Sequence, residues 1–504
     1  MTTEMPEVGV PGHGTGDRDP KGIGRQAGRG LRWSLLGTLA TKVGSFAMSL
    51  VMARLLVPED FGLYAIALAA TAFVMHVNDV GIIAATVQWR GKLEDMAATA
   101  STLALVFSVG WYAVFWLGAP YFAALAGSEE ATLLVRLLTA VILIDGVTAV
   151  RVATLQRRFD HDKLMMAITA GFVVNAAIAI TLAARGAGAY SFVVGQLTGS
   201  VVTGALVLLA ARLPWRYRLD RAVAVKLVRF GVPVAVALGI ESILIYADSV
   251  VVGKTLGPVM LGFYLLAFNM SSWVPGLVAT AVRYVSVPSF SRLAEQEAEV
   301  LSRGVQRSLP VLVATVLPMA AVISVLAPEL IAFLYGPDWA PAAAALRFLA
   351  VVMVARVFMS LTFDILTSMG ATRTTAWLNL AWATALVPAL IVGTSAGGIQ
   401  GAAIAHAVVA ATVAVPLGTF ALHRLGVHLR PVVPALVRPV AGCAAAGVVM
   451  WLLAELVSGG AFVVLAAAGG PAVLLYLVLV VPRAQRKALG ERIGRRWPLK
   501  AEMR

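Results

Sequence analysis

The chain has 504 residues, of which 60% are hydrophobic and 13% are charged, and its formal net charge is +14. Soluble globular proteins contain about 25% charged residues, so this composition excludes a soluble protein and predicts an integral membrane protein. The basic residues form no continuous face, which argues against nucleic-acid binding, and the single cysteine, Cys443, excludes an intramolecular disulfide framework.

The apolar residues fall into fourteen blocks that follow a polar N-terminal tail. Residues 1–30 are rich in glycine, proline and charge, and we predict that they form a disordered tail. Each block is roughly 20 residues long, the length that a helix needs to cross the hydrocarbon core. Strand-like alternation is absent, so we predict an all-α polytopic membrane protein. The predicted spans are 33–53, 61–86, 96–117, 131–151, 164–184, 189–211, 228–250, 259–283, 309–327, 341–366, 375–393, 399–421, 436–457 and 461–481.

The basic residues set the predicted topology. Thirty-two of the 40 lie in the termini and in alternate loops, whereas the loops between these contain three, Arg54, Arg185 and Lys254. Cytoplasmic loops are enriched in lysine and arginine, so both termini are predicted to be cytoplasmic. Since no loop is long enough to fold as a catalytic domain, we predict that the chain is not an enzyme.

One stretch of the chain occurs twice. Residues 53–70, ARLLVPEDFGLYAIALAA, and residues 253–270, GKTLGPVMLGFYLLAFNM, align at an offset of 200 that matches Gly62 with Gly262. The offset places the seventh span on the first, so each repeat has six spans. Because six is an even number, both copies have the same orientation in the membrane, as in transporters whose two lobes surround a central cavity.

The repeat gives the predicted domain boundaries. The N-terminal tail, 1–30, is followed by an N-lobe of spans 1 to 6 at 31–215 and a C-lobe of spans 7 to 12 at 216–425. Spans 13 and 14 occupy 426–482, and a basic cytoplasmic tail occupies 483–504.

Charged side chains deep in a span are costly, so each requires a partner or a function. Lys42 is predicted either to contact an anionic substrate in the cavity or to pair with Asp79 or Asp248. Arg283 and Arg356 are candidates for bidentate contacts to phosphate. The position of Arg283 also suits a residue at the cytoplasmic boundary.

Three acidic residues are candidates for proton or ion coupling. Glu241 and Asp248 are seven residues apart, and hence on one face of the seventh span. Asp248 lies nearer the outer end, where the alternative is a solvated side chain close to Lys254. Asp79 is either a coupling residue or a helix-ending residue. No group of histidine, cysteine and carboxylate residues has metal-ligand spacing, and no cofactor is predicted.

Two further pairs of residues, one basic and one of histidines, have candidate roles. Arg54 and Lys254 occupy equivalent positions of the repeat on the outer side, which indicates an outer gate or an exit contact. The alternative is that the repeated proline and glycine turns only shape two equivalent helix hairpins. His76 and His406 are lone histidines, and we interpret both as packing residues.

Several segments resemble one known family. LLVPEDFGLYAIALA at 55–69, NDVGIIAATVQ at 78–88, LQRRF at 155–159 and ADSVVVGKTLGPVMLGFYLLA at 247–267 closely resemble the bacterial polysaccharide transporter family. Its members are Wzx-type oligosaccharide flippases of the multidrug/oligosaccharidyl-lipid/polysaccharide exporter superfamily, which also contains the lipid II flippase and the MATE drug exporters. The resemblance covers about residues 30–480.

The resemblance implies a V-shaped protein of two six-helix lobes around a cationic cavity in the bacterial cytoplasmic membrane. The implied substrate is an oligosaccharide on a polyprenyl pyrophosphate carrier, and the implied partners are membrane lipid, a polysaccharide polymerase and glycosyltransferases. Lipid II flippases carry several arginines in spans 1 and 2, whereas this chain has Lys42 and, at the outer end, Arg54. Lipid II itself is therefore a less favoured substrate.

Two other functions compete with this expectation. A drug/cation antiporter of the same superfamily needs a mainly acidic cavity, and Lys42, Arg283 and Arg356 argue against it. A membrane polysaccharide polymerase or ligase usually needs catalytic residues on a long external loop. The outer loops of this chain are short and nearly uncharged.

Overall fold

The structure is a computed structural model, which describes residues 20–78, 93–158, 160–294, 298–369 and 371–481. Throughout these ranges the regular structure is helical, as predicted. Helices are suited to a bilayer because they satisfy their own backbone hydrogen bonds where water is absent.

The described residues form fourteen helices long enough to cross a membrane. The first six are α1 (Pro20–Leu55), α2 (Pro58–Asn78), α3 (Leu93–Leu125), α4 (Ala131–Thr139 continued by Val141–Arg157), α5 (His161–Ala184) and α6 (Tyr190–Ala211). The next six are α7 (221–256), α8 (258–294), α9 (Ala298–Val325), α10 (Ala342–Ser368), α11 (372–396) and α12 (399–424). The last two are α13 (Val432–Leu456) and α14 (461–480), and a short helix, Ala327–Leu334, and a 3-10 turn, Pro337–Trp339, follow α9.

Glycines separate two pairs of helices that are otherwise continuous. Gly257, with φ +82°, lies between α7 and α8, and Gly397 and Gly398 lie between α11 and α12. Gly398 has φ +60°, and such positive φ values favour glycine because it has no Cβ. The turn between α5 and α6 likewise contains Gly186 and Gly188 at positive φ. A glycine-rich turn with at least one glycine at positive φ thus precedes the sixth helix of each half.

Length and hydropathy mark eleven candidate membrane spans among the described residues. One of them, Arg373–Arg424, contains both α11 and α12, and another, Ile245–Trp273, contains the junction of α7 and α8. With these two divided and α1 included, the described chain has the fourteen predicted spans.

The first helix begins earlier than expected. It starts at Pro20, so the last part of the predicted tail at 1–30 is helical, because extending an existing helix costs little once it is nucleated. Residues 1–19 lie outside the described part of the chain, as do residues 79–92, where the second predicted span ends.

The fifth and sixth helices of each half pack at paired glycines. Gly171 of α5 and Gly199 of α6 each face the backbone carbonyl of the other, and Gly393 of α11 and Gly401 of α12 do the same in the second half. Small residues let helix backbones approach closely in a membrane. The two halves thus repeat their internal packing as well as their sequence.

Helices α13 and α14 pack against α9 of the second half. The Tyr476 hydroxyl donates to the carbonyl of Ala314 at 2.6 Å, and Met450 and Ala468 are buried in one apolar cluster with Leu326. These contacts attach the last two helices to one half of the repeat.

Candidate functional site

The two halves meet where α2 and α8 approach, on the membrane side opposite to the described chain ends. Gly62 of α2 faces the carbonyl of Pro258, and Gly262 of α8 faces the carbonyl of Pro58. Neither glycine has room for a Cβ. We call this reciprocal arrangement the crossing contact, and it joins equivalent residues of the two repeat copies.

Aromatic side chains close the same end of the molecule. The buried Trp339 donates its indole N–H to the carbonyl of Ala53 at 2.9 Å, and its ring packs edge-on against Phe61 and Phe263. Burial raises the pKa of the nearby Tyr335 to about 12, so this phenol stays neutral and hydrogen-bonds to Ser49. Residues of both halves therefore share one packed cluster here.

Arg54 and Lys254 each reach from their own half to a helix end in the other half. The guanidinium of Arg54 donates to the carbonyls of Phe333 and Leu334 at 3.3 and 3.2 Å, at the end of the short helix that follows α9. The ammonium of Lys254 donates to the carbonyl of Ala124 at 3.3 Å, in the last turn of α3. Helix C-termini carry partial negative charge, which favours cations at both places.

Lys42 lies at the interface of α1 and α8. Its carbonyl accepts from the indole N–H of Trp273 at 3.2 Å, and its ammonium group lies against Gly276. The side chain is half-buried. Lys42 thus lies where the first helix of the first half meets α8 of the second half. Gly276 has no side chain, so the ammonium group can lie against it.

Arg356 of α10 lies in a buried cluster of polar and aromatic residues. Its guanidinium stacks over the Phe268 ring at 4.6 Å and interacts electrostatically with Asp248. The Asp248 carboxylate accepts from the Tyr264 hydroxyl at 3.1 Å and from the Ser249 backbone N–H at 2.8 Å. We call these residues the Arg356 cluster.

The position of Asp248 corrects two sequence-based alternatives. Asp248 is 2% exposed, so it is not a solvated residue near Lys254, because α7 turns it toward α8 and α10. Its partners in the Arg356 cluster also exclude the pairing with Lys42. His406 is fully buried beside this cluster, and neither ring nitrogen has a hydrogen-bond partner. The burial of His406 is compatible with its interpretation as a packing residue.

Of the predicted cations, Lys42 and Arg356 do not lie in one cluster. Arg356 contacts Phe268 of α8, and Lys42 contacts Gly276 of the same helix. These two α8 residues are eight positions apart, which corresponds to roughly 12 Å along the helix axis. The side chains of Arg283 and Glu241 lie outside the described residues, as does Asp79. Their assigned roles stay predictions.

A pocket of about 420 Å³, lined by both apolar and polar side chains, lies between α2, α4 and α6 of the first half and α7 of the second. We call it the N-half pocket. The polar residues that line it are Tyr64, Thr71, His76, Asp145, Gln196 and Tyr246. The sequence pattern marked His76 as a lone histidine within a span, whereas Gln196 and Tyr246 carry no charge and gave no comparable signal.

Hydrogen bonds hold the side chains of the N-half pocket in place. His76 donates Nδ1–H to a carbonyl of its own helix at 2.6 Å, which leaves Nε2 free to face the pocket. The Asn78 amide donates to the Asp145 carboxylate at 3.5 Å, and the Asn175 amide donates to the Gln196 carbonyl oxygen at 3.2 Å. The pocket therefore presents positioned neutral donors and acceptors and one carboxylate.

Comparison with known sequences gives a family match. A family model described as a polysaccharide biosynthesis protein matches residues 51–344. The succinoglycan biosynthesis transport protein ExoT of Rhizobium meliloti (strain 1021) is 27% identical over 331 residues, which cover 64% of this chain and 65% of that protein. The match thus spans slightly less than two thirds of the curated relative.

Comparison with solved structures gives the fold. The lipid II flippase MurJ in an inward closed conformation superposes with a TM-score of 0.75 at 14% identity and covers 88% of this chain and 97% of its own. An inward-facing MATE family multidrug resistance transporter of the MOP superfamily has a TM-score of 0.59 at 16% identity, with 77% and 95% covered. These similarities confirm the predicted fold of two helical halves.

Proposed function

Because the chain belongs to the polysaccharide biosynthesis protein family, we propose that it moves a lipid-linked oligosaccharide across the bacterial cytoplasmic membrane by alternating access. The N-half pocket is the observation that carries this proposal, since it is a space at the depth of the spans whose lining includes six polar side chains, one of them, Tyr246, from the second half. The fold shared with a lipid II flippase supports the same function. The oligosaccharide reaches the outer leaflet for assembly into surface polysaccharide.

The chemistry of such a substrate divides into three parts. A pyrophosphate needs cationic partners, and Lys42, Arg283 and Arg356 are our candidates. Sugar hydroxyls need neutral donors and acceptors, whereas the lipid tail can stay in the bilayer beside the halves. Coupling to a proton or another ion falls to Glu241 and Asp248, and also to Asp79 in our proposal.

The direction of transport follows from the proposed topology. The concentration of basic residues on the side of the termini supports cytoplasmic termini, with glycosyltransferases supplying the substrate there and a polymerase taking it up outside. Residues 31–215 and 216–425 are the lobes that move against each other. Cysteines introduced at Glu129 and Arg218 of a Cys443→Ser chain are expected to label from opposite sides, and labelling from one side would contradict this topology.

The contacts of Arg54 and Lys254 support an outer gate. In the present state both cations join the halves through helix C-termini. Alternating access requires these bonds to break when the outer side opens. The released cations would then face the exit, where they can contact the departing pyrophosphate.

Replacing Arg54 or Lys254 with alanine is expected to weaken the outer-closed state. Each loss removes about 0.5–1 kcal/mol of hydrogen bonding and helix-end attraction, which raises the open-to-closed ratio roughly twofold to fivefold. Distances between spin labels at Glu59 and Val259, both exposed, report this ratio by pulsed electron paramagnetic resonance.

Arg185→Ala is the matched control for these variants. Arg185 is the third basic residue on the same side and is exposed. The control should leave the distance distribution unchanged. An unchanged distribution in the Arg54→Ala, Lys254→Ala double variant would contradict the gate.

The proposed transport is tested directly in proteoliposomes. The probe is the native host's lipid-linked oligosaccharide with an NBD fluorophore on its sugar, and dithionite quenches the fluorophore in the outer leaflet. Without transport about half of the signal is quenched, and with transport nearly all of it is. Quenching equal to that of protein-free vesicles would contradict the flippase. Export of ethidium in its place would favour a cation antiporter.

A further inference from the structure

We propose that the N-half pocket binds the saccharide part of the lipid-linked substrate, separately from the cations that hold the pyrophosphate. This inference rests on the proposed function and assigns a site within it. The pocket volume of about 420 Å³ is within the range of about 300–1,000 Å³ that ligand pockets occupy.

The composition of the pocket fits a neutral polyhydroxylated ligand. Its polar lining combines a carboxylate, a carboxamide, an imidazole, a threonine and two phenols. Each sugar hydroxyl is both a donor and an acceptor, and these groups supply both partners. Tyr64 and Tyr246 also offer aromatic rings against which the apolar C–H face of a sugar ring can pack.

The charge of the pocket separates it from the phosphate contacts. Among the described residues, the lining contains Asp145 and neither lysine nor arginine. A pyrophosphate next to Asp145 would be repelled in a medium of low dielectric constant. Sugar hydroxyls instead donate favourably to a carboxylate, so the pocket excludes the anionic part of the substrate and accepts its neutral part.

The shape of the pocket suits more than one sugar. Its lining follows α2 from Tyr64 to His76, twelve residues that rise roughly 18 Å along the helix. Since α2, α4 and α6 belong to one half and Tyr246 belongs to the other, movement of the halves changes the space available. The same movement that opens the gate can therefore tighten or loosen the sugar site.

The alternative occupant is an organic cation, held by Asp145 and the faces of the two tyrosines. A cation would depend on the negative charge of Asp145 but not on the Gln196 carboxamide. An oligosaccharide would depend on both groups. Variants of Asp145 and Gln196 therefore distinguish binding of an oligosaccharide from binding of an organic cation.

The test measures binding to the purified full-length protein by native mass spectrometry. The two probes are lipid-linked oligosaccharide from the native host and undecaprenyl pyrophosphate, which has no sugar. Asp145→Asn and Gln196→Ala are each expected to weaken binding of the first probe about threefold to tenfold and to leave binding of the second unchanged. The unchanged probe also shows that each variant is folded.

Thr198→Ala on α6 is the control, because the Thr198 hydroxyl bonds to its own helix. It should leave the affinity for both probes unchanged. Equal weakening of both probes by Asp145→Asn and Gln196→Ala, or no weakening of either, would overturn the sugar site and leave the flippase intact. Binding of neither probe to the unaltered protein would instead overturn the proposed function together with the site. Binding of tetraphenylphosphonium that Asp145→Asn abolishes, with sugar binding unaffected, would assign the pocket to cations.

Discussion

Replacing Gly62 or Gly262 with leucine is expected to abolish polysaccharide export while leaving the protein in the membrane. Each glycine faces a backbone carbonyl of the other half, so a side chain there cannot be accommodated by a rotamer change. Overpacking costs about 1–3 kcal/mol. That cost applies to the outer-closed state, whose population relative to the open state should fall roughly fivefold to 150-fold.

Export in a strain that lacks its own flippase measures this effect, and spin labels at Glu59 and Val259 report the separation of the halves. Gly110→Ala in α3 is a matched control, because a Cβ at Gly110 meets nothing within 4 Å. Alanine there should be neutral or slightly stabilising. Normal export and a normal label distance in Gly62→Leu would show that the halves do not need the crossing contact.

Replacing Arg356 with leucine is expected to be the most destabilising single change in the Arg356 cluster. The change removes the guanidinium that acts electrostatically on the buried Asp248 carboxylate and stacks over Phe268, and the loss of such buried contacts costs about 0.5–3 kcal/mol. Denaturation in mixed detergent and SDS micelles measures the difference in the free energy of unfolding. Transport should be lost as well.

The double variant Arg356→Leu, Asp248→Asn tests the cause. Asparagine keeps the shape of the side chain and removes its charge, so we expect it to restore at least half of the lost stability. Arg347→Leu is the control on the same helix, since Arg347 is exposed. A loss in the double variant as large as in Arg356→Leu alone would show that Arg356 stabilises by packing on Phe268.

The sequence pattern predicted most of the fold because each span is a continuous stretch of the sequence and the two halves are copies of one another. The lengths of the apolar blocks gave the fourteen spans, and the offset of 200 gave the relation between Gly62 and Gly262. The pattern could not show that these two glycines meet. Equivalence under a repeat says which residues correspond, whereas contact depends on how the halves pack.

The site was less accessible to sequence reasoning for a similar reason. Arg356 and Asp248 were recognised separately as buried charges, but 108 positions separate them in the chain, and no periodicity connects residues on different helices. Gln196 and Tyr246 are uncharged and tolerated in a span, so hydropathy did not mark them. Their proximity to Asp145 depends on how α6 and α7 pack, which brings all three residues to one pocket.

The crossing contact also has the form of an isologous interface. Pro58 meets Gly262, and Pro258 meets Gly62, which is the relation that a two-fold axis imposes on identical subunits. A six-helix chain with one copy of this turn could pair with a second copy of itself through the same surface. Duplication and fusion of such a dimer would yield one chain with two copies of the interface residues. Each copy could then diverge, as Arg54 and Lys254 have, while the shared glycines still permit the close approach.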